Sequence, residues 1–125
     1  MSETRKELAP GTIVFSEGDV GDAMYVVIQG LVQIYRDTTS GRLVLIKVRP
    51  GDFFGEMALI GDTPRTATAV ALSESVLAVY RIDELEKLLA TRPEVGARMI
   101  KHLVSRLKET TDRLEGERDK RLASW

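Results

Sequence analysis

The sequence predicts a mainly β chain: an antiparallel, jelly-roll-like β-roll (a double-stranded β-helix) over about residues 8–80, then two α-helices over about residues 81–118. Short runs of β-branched and aromatic residues alternate with turn signals at intervals of about 8–12 residues. No long helical pattern separates these runs, which favours an antiparallel sheet over a parallel one. Beyond Arg81 the apolar residues adopt helical spacing.

The turn signals that bracket the apolar runs define the expected strands. The first ten residues are polar and end at Ala9-Pro10-Gly11, a turn signal. Gln29-Gly30 supplies a tight connection between two apolar runs, and the polar segment 37–41 forms the tip of a second hairpin. We therefore expect strands at residues 12–15, 24–28, 31–35, 43–48 and 75–80.

Two helices are expected after the roll. Ile82, Leu85 and Leu88 fall on one helical face, and Arg92-Pro93 interrupts the pattern because proline lacks a backbone donor and clashes with the preceding turn. The second helix carries residues in alternating steps of three and four, the a/d spacing of a coiled coil, over about two heptads. This spacing is compatible with a homodimer through the seam formed by Ile100, Leu103, Leu107, Thr110 and Leu114.

Length and composition narrow the classes of protein. At 125 residues the chain has the size of one domain, so we expect a single domain over 1–125. A formal net charge of −1 gives no electrostatic reason to expect nucleic-acid or membrane binding. No apolar run approaches the ~18 residues of a membrane span, and the polar start has no apolar signal core. A cytoplasmic protein is therefore expected. The lack of cysteine excludes disulfides, iron–sulfur clusters and thiol nucleophiles.

Residues 51–71 combine a carboxylate, a cation and small residues in one segment. Glu56 follows Gly55 at the start of a short apolar turn, which is expected to form a short internal helix. Arg65 follows Pro64 and precedes small hydroxyl-bearing residues. A carboxylate accepts hydrogen bonds from a sugar hydroxyl, and a guanidinium offers a planar donor fork to phosphate oxygens. These residues suit a ligand that carries both a diol and a phosphate.

The segment resembles the phosphate-binding cassette of the cyclic-nucleotide-binding domain family, found in cyclic-nucleotide-dependent kinases, gated channels and catabolite-activator transcription factors. The matching residues are Gly-Glu-Met-Ala-Leu at 55–59 and Pro-Arg-Thr-Ala-Thr at 64–68, together with the glycine turns at 11, 18, 21 and 30. The resemblance extends over about residues 8–114. It implies that Glu56 binds the ribose 2′-hydroxyl and that Arg65 pairs with the cyclic phosphate, with Thr66 adding a hydroxyl and an N–H.

The base preference stays open between adenine and guanine. Val48 and its apolar neighbours suit either a core or a wall against the purine. The resemblance to cGMP-selective members of the family implies that Thr66 could hydrogen-bond the amino group of a syn guanine. In the catabolite-activator branch, a run similar to Arg106-Leu107-Lys108-Glu109-Thr110-Thr111 contacts adenine, partly across a dimer, which favours cAMP over cGMP. The expected ligand-binding residues are Val48, Phe54, Gly55, Glu56, Met57, Ala58, Arg65, Thr66, Ala67, Arg106, Thr110 and Thr111.

No enzyme chemistry is indicated by the side chains, so we expect a sensor with no catalytic residues, no metal and no cofactor. His102 is the only histidine, whereas cupin-type metal sites and haem sites in the roll need histidine or cysteine ligands. The alternative is a β-roll scaffold protein that binds no nucleotide. The start at Met1 and the ending at Trp125 favour a free-standing module over a fragment. Its downstream protein partner is not identified by the sequence.

Overall fold

The computed structural model describes residues 4–56, 61 and 63–122, and the chain divides into two compact units, Met1–Glu86 and Lys87–Trp125. The first unit contains the strands. All paired strands are antiparallel, as the sequence predicts. The elements are β1 (Thr4–Leu8), β2 (Ile13–Phe15), β3 (Ala23–Gln29), β4 (Val32–Thr38), β5 (Gly41–Val48), β6 (Phe53–Phe54), β7 (Thr68–Ala71), β8 (Ser75–Arg81), α1 (Ile82–Thr91) and α2 (Pro93–Leu122).

The strands form two four-stranded sheets within the described residues. One has the order β1-β8-β3-β6 and the other the order β2-β7-β4-β5. Apolar side chains from both sheets make one core. The fully buried members include Val27, Val32, Val48, Ala69 and Leu77. The predicted fold, a β-roll followed by two helices, is confirmed.

Three strands were not expected from the sequence. β1 has the sequence Thr-Arg-Lys-Glu-Leu, with exposed side chains at its first four positions, and it pairs with β8 from Thr4↔Val79 to Leu8↔Ser75. β6 has only two residues. β7 lies between β2 and β4 and buries all four of its residues. Its sequence is therefore a continuous run of small residues without the apolar–polar alternation of a half-exposed strand.

The helices begin and end close to the predicted positions. α1 ends at Thr91, and Pro93 is the first residue of α2, where a missing N–H costs no intrahelical bond. The N–H of Arg92 still donates to the carbonyl of Leu88 at 2.8 Å, which completes the last turn of α1. On α2, the apolar residues of the predicted seam, Ile100, Leu103, Leu107 and Leu114, are exposed. Within the described residues, no helix is long and apolar enough to cross a membrane.

Candidate functional site

Two loops hold the backbone of Arg65 from both sides. The N–H of Arg65 donates to the carbonyl of Asp19 at 2.7 Å, and the carbonyl of Arg65 accepts from the N–H of Gly18 at 2.8 Å. Val20 and Pro64 form an antiparallel bridge next to these bonds. Because Pro64 has no N–H and a fixed φ, it suits the start of this short pairing. The paired loops fix the point from which the Arg65 side chain extends.

The guanidinium of Arg65 is buried and contacts neutral groups. Only 5% of the residue is exposed. Nη1 donates to the carbonyl of Gly55 at 2.9 Å and Nη2 to the carbonyl of Ala23 at 2.7 Å. Nε is also buried, and it has no hydrogen-bond partner among the described residues. An unsatisfied donor on a buried cation is costly, so an anionic acceptor at Nε would be strongly favoured.

Two glycines leave the space that the guanidinium occupies. A Cβ added to Gly21 would lie 2.7 Å from Cζ of Arg65, closer than real side chains approach. A Cβ on Gly55 would lie 3.1 Å from Nη1, and Gly55 has a φ of +81°, in the left-handed region that favours glycine. Any larger residue at either position would have to displace the arginine or the backbone around it.

A cluster of three aromatic rings lies beneath this cation; we call it the aromatic cluster, and it consists of Phe15, Tyr25 and Phe54. The ring centroid of Phe15 is 6.0 Å from that of Tyr25 and 5.9 Å from that of Phe54, and the Tyr25 and Phe54 rings stack at 5.2 Å. Cζ of Arg65 lies over the Phe15 ring, 4.1 Å from its centroid. The cation therefore has an aromatic face on one side and carbonyl oxygens in its plane.

The pKa of the Tyr25 phenol reflects the burial of this region. Burial raises the pKa of Tyr25 above its ordinary value of 10.0, and the positive charge of Arg65 opposes part of that rise. The phenol therefore stays neutral at neutral pH. The aromatic cluster thus supplies an apolar, uncharged surface next to the buried arginine.

The residues after Arg65 connect the site to the sheet. Thr66 is exposed, and its carbonyl accepts a hydrogen bond from Nε of Arg36 at 2.7 Å. Ala67 is buried. Oγ1 of Thr68, the first residue of β7, accepts from the N–H of Glu17 at 2.9 Å. These bonds attach both ends of the 66–68 segment to neighbouring strands and loops.

The structure brings together part of the predicted site. Gly55 and Arg65 are in direct contact, and Phe54 lies in the aromatic cluster below them. Val48 is fully buried in the core of the roll. Glu56, which is partly buried, has 3₁₀-helical geometry directly after Gly55. Met57 and Ala58 lie outside the described residues. The roles of these residues toward a ligand stay predictions.

The residues predicted to contact adenine through the long helix lie in the second unit. Arg106, Thr110 and Thr111 are on α2, where Thr110 and Thr111 are exposed. Oγ1 of Thr110 donates to the carbonyl of Arg106 at 3.0 Å, one helical turn earlier. This internal bond is common for threonine in a helix, and it leaves the hydroxyl oxygen able to accept another hydrogen bond. Their part in the site also stays a prediction.

Sequence reasoning missed three residues that shape the site. Phe15 was expected only as a strand residue, Gly21 only as a turn glycine, and Arg36 was not singled out. None has a local signal for its contact, because each meets the 65–66 segment only through tertiary structure. No group of three or more histidine, cysteine or acidic residues suited to a metal is present in the part of the chain that the structure describes.

Comparisons with known proteins identify relatives of this arrangement. The family model described as a cyclic nucleotide-binding domain matches residues 5–92, so the resemblance predicted from the sequence is confirmed. The chain is 35% identical over 115 residues to a CRP-like cAMP-activated global transcriptional regulator of Mycobacterium tuberculosis, covering 87% of this chain and 51% of that protein. It is 38% identical over 86 residues to the cAMP-dependent protein kinase regulatory subunit of Yarrowia lipolytica, covering 69% and 22%.

A solved structure confirms the fold by geometry. The crystal structure of the Thermus thermophilus catabolite activator protein superposes with a TM-score of 0.77 at 31% sequence identity, covering 90% of this chain and 53% of that one. The chain therefore spans about half the length of the bacterial relatives it matches. By description, the two sequence relatives are regulatory proteins.

Proposed function

This chain belongs to the cyclic-nucleotide-binding domain family, and from that premise we propose that it binds a cyclic mononucleotide, cAMP in preference to cGMP, as a regulatory module without catalysis of its own. The observation that carries the proposal is the buried guanidinium of Arg65, whose Nε has no partner among the described residues. A phosphate would supply the missing acceptor and the compensating charge.

The phosphate is the part of the ligand that the geometry supports most directly. Arg65 already uses Nη1 and Nη2 on the carbonyls of Gly55 and Ala23. A guanidinium carries five N–H donors in one plane, so Nε and the outer N–H groups remain for phosphate oxygens. A charge-assisted contact of this type contributes roughly 1.5–3 kcal/mol.

The proposed contacts to the sugar and the base depend less on observed geometry than the phosphate contact does. Glu56 follows Gly55, whose carbonyl contacts Arg65, so its carboxylate is close in sequence to the cation and suits a ribose hydroxyl. Thr66 and Ala67 would complete the phosphate site, and Val48, Phe54, Met57 and Ala58 its apolar walls. We propose Arg106, Thr110 and Thr111 as contacts to adenine. The preference for cAMP is also supported by the descriptions of the two sequence relatives, both of which name cAMP.

The regulatory output is proposed to pass through α2. The exposed large apolar residues on its described part, 93–115, are Ile100, Leu103, Val104, Leu107 and Leu114, a surface suited to a second copy of this chain or to a downstream protein. A ligand shifts the position of a helix only if it binds one arrangement better than the other. Hydrogen exchange along α2 that is identical with and without cAMP would contradict this part of the proposal.

Calorimetric titration with cAMP and cGMP tests the central proposal. We expect micromolar or tighter binding of cAMP by the unsubstituted protein and binding weaker by about 10- to 100-fold in Arg65→Ala, because one charge-assisted contact is lost. Arg42→Ala is the matched control, since Arg42 also lies over an aromatic ring but at an exposed position. It should bind cAMP as the unsubstituted protein does.

Each outcome has a definite consequence. A loss of affinity that is equal in Arg65→Ala and Arg42→Ala would assign binding to general positive charge and not to this site. A higher affinity for cGMP would reverse the proposed base preference. No heat and no thermal stabilisation with either nucleotide, on folded protein freed of carried-over ligand, would favour the alternative of a β-roll scaffold, because a ligand at 100 times its dissociation constant should stabilise by about 2.7 kcal/mol.

A further inference from the structure

Among the described residues, the Phe15 ring is the aromatic face that contacts the buried cation. On the basis of the proposed function, we infer that Phe15 is a positioning residue for nucleotide binding: its ring holds the Arg65 guanidinium in place for the phosphate. Phe15 itself touches no ligand in this proposal. Its effect passes through Arg65, whose Cζ lies over the ring at 4.1 Å from the centroid.

Three contacts together define the position of the guanidinium. The hydrogen bonds to the carbonyls of Gly55 and Ala23 act in the plane of the group, at 2.9 and 2.7 Å. The Phe15 ring acts on its face, where no hydrogen bond can form. A rotation of the Arg65 side chain could keep one of the two carbonyl hydrogen bonds. It would then break the other bond or move the guanidinium away from the Phe15 ring. Nε is left without a hydrogen-bond partner among the described residues and lies against Gly21.

Phe15 is itself held firmly enough to serve as a support. It is the last residue of β2, and its backbone pairs with Ala69 of the buried strand β7. Its ring contacts both other members of the aromatic cluster, Tyr25 at 6.0 Å and Phe54 at 5.9 Å between centroids. The ring cannot turn away from Arg65 without disturbing that cluster, so it offers a fixed face.

The expected benefit is preorganisation. A cation over an aromatic face is attracted by the electron-rich face of the ring, and the attraction grows when water is excluded. An arginine that is already oriented loses less conformational freedom when the ligand binds. A leucine at position 15 would keep the apolar contact but would lose the electrostatic part. From the cost of immobilising one long side chain, we expect nucleotide affinity to fall about 3- to 10-fold.

The sharpest test changes the charge distribution of the ring and leaves its shape. Pentafluorophenylalanine at position 15 has nearly the same outline, but its face is electron-poor. We expect cAMP to bind about 3- to 10-fold more weakly to this protein than to the unsubstituted one, with Phe15→Tyr close to the unsubstituted value. The control is the same fluorinated residue at Phe53, which is buried on β6 and paired with Val26. There, affinity should stay within about twofold.

A second measurement needs no ligand. The Nε–H proton of Arg65, next to a Cζ that lies over the ring, should resonate upfield of its usual position in the unliganded protein because of the ring current. Phe15→Leu should return the signal toward the usual position, whereas substitution of Phe53 should not move it. This signature distinguishes a positioning role from a general contribution to folding stability, which would lower the melting temperature but leave the signal in place.

The outcomes separate this inference from the proposed function. Unchanged affinity with the fluorinated ring at position 15, together with lost binding in Arg65→Ala, would overturn the role of Phe15 and leave the nucleotide site intact. An Nε–H signal at its usual position in the unsubstituted protein would overturn it as well. If the unsubstituted protein binds no nucleotide, the proposed function fails, and the role of Phe15 in binding fails with it.

Discussion

Two arginines in the part of the chain that the structure describes lie over aromatic rings, and they differ in burial and in their polar partners. Arg42, in the β4–β5 hairpin, lies over Tyr35 with 3.7 Å from Cζ to the ring centroid, and its side chain is 51% exposed. Its nearest charged partner is Asp37, at 4.0 Å and also exposed. Arg65 lies over Phe15 at the longer distance of 4.1 Å, but it is buried.

The comparison teaches that the surroundings, and not the ring contact, distinguish the buried arginine proposed to bind phosphate from a surface one. Water satisfies the donors of Arg42 and screens its charge, so an anion gains little by replacing that water. Arg65 is shielded from water, and its Nε lacks an acceptor among the described residues. An anion that binds Nε of Arg65 would therefore displace no existing hydrogen bond of that group. The same type of side chain is thus buried with an unpaired donor in one region and exposed to solvent in the other.

The largest expected effect is the difference in cAMP affinity between alanine substitutions at two glycines, one from each region. Gly21→Ala places a methyl group against the guanidinium of Arg65, whereas a Cβ on Gly41, in the hairpin of Arg42, meets nothing within 4 Å. We expect Gly21→Ala to weaken cAMP binding about 10- to 100-fold, as removal of the arginine contact would. Calorimetry on folded, monodisperse protein measures this.

Gly41→Ala is the control for backbone strain. Its φ of +119° disfavours any side chain, so stability should fall by about 1–2 kcal/mol, with cAMP affinity unchanged. If Gly21→Ala binds cAMP normally, the guanidinium does not need the space that the structure gives it, and the contrast between the two regions loses its basis.

An intermediate effect is expected from replacing each arginine by lysine. Lysine keeps the charge but has no planar fork and cannot satisfy two carbonyls and a phosphate at once. We expect Arg65→Lys to reduce affinity for cAMP about 10-fold and Arg42→Lys to have no measurable effect, by the same titration. Equal affinity of Arg65→Lys and the unsubstituted protein would mean that charge alone, and not donor geometry, is what the ligand requires.

The smallest expected effect concerns pH and the aromatic cluster beneath Arg65. Burial raises the pKa of Tyr25 in the folded state, so the folded protein retains the phenolic proton to higher pH than the unfolded chain. The contribution of the neutral Tyr25 phenol to the free energy of unfolding is therefore fully present below pH 10. This contribution is lost as the pH rises through the folded-state pKa of Tyr25. Denaturant unfolding between neutral pH and strongly alkaline pH measures this loss.

Tyr25→Phe serves as the comparison, because it removes the titrating group and keeps the ring. Its stability should fall less steeply above pH 10 than that of the unsubstituted protein. Identical slopes for the two proteins would show that the region around Arg65 is wetter than its burial indicates, and the contrast with the exposed hairpin would weaken.

The sequence by itself determined the elements whose signals are local. Periodicity placed the central strands and both helices, and Pro93 marked the point at which α1 gives way to α2, because backbone and side-chain chemistry decide these features within a few residues. The motifs at 55–59 and 64–68 also placed Gly55 and Arg65 in one predicted site, and the structure joins these two residues by a hydrogen bond. Family membership followed from the same residues.

Only the tertiary structure decided the rest. β1 is a polar edge strand with no alternating pattern, and it exists because its backbone pairs with β8, residues far away in the chain. The burial of Arg65 depends on the carbonyl of Ala23 and the ring of Phe15, which lie 42 and 50 positions before it. Propensity and motif spacing depend on residues that are close in the sequence. The burial of Arg65, its unpaired Nε and its contact with the Phe15 ring arise only where distant segments of the chain meet. For that reason the sequence singles out Arg65 as a candidate but does not show what holds it in place.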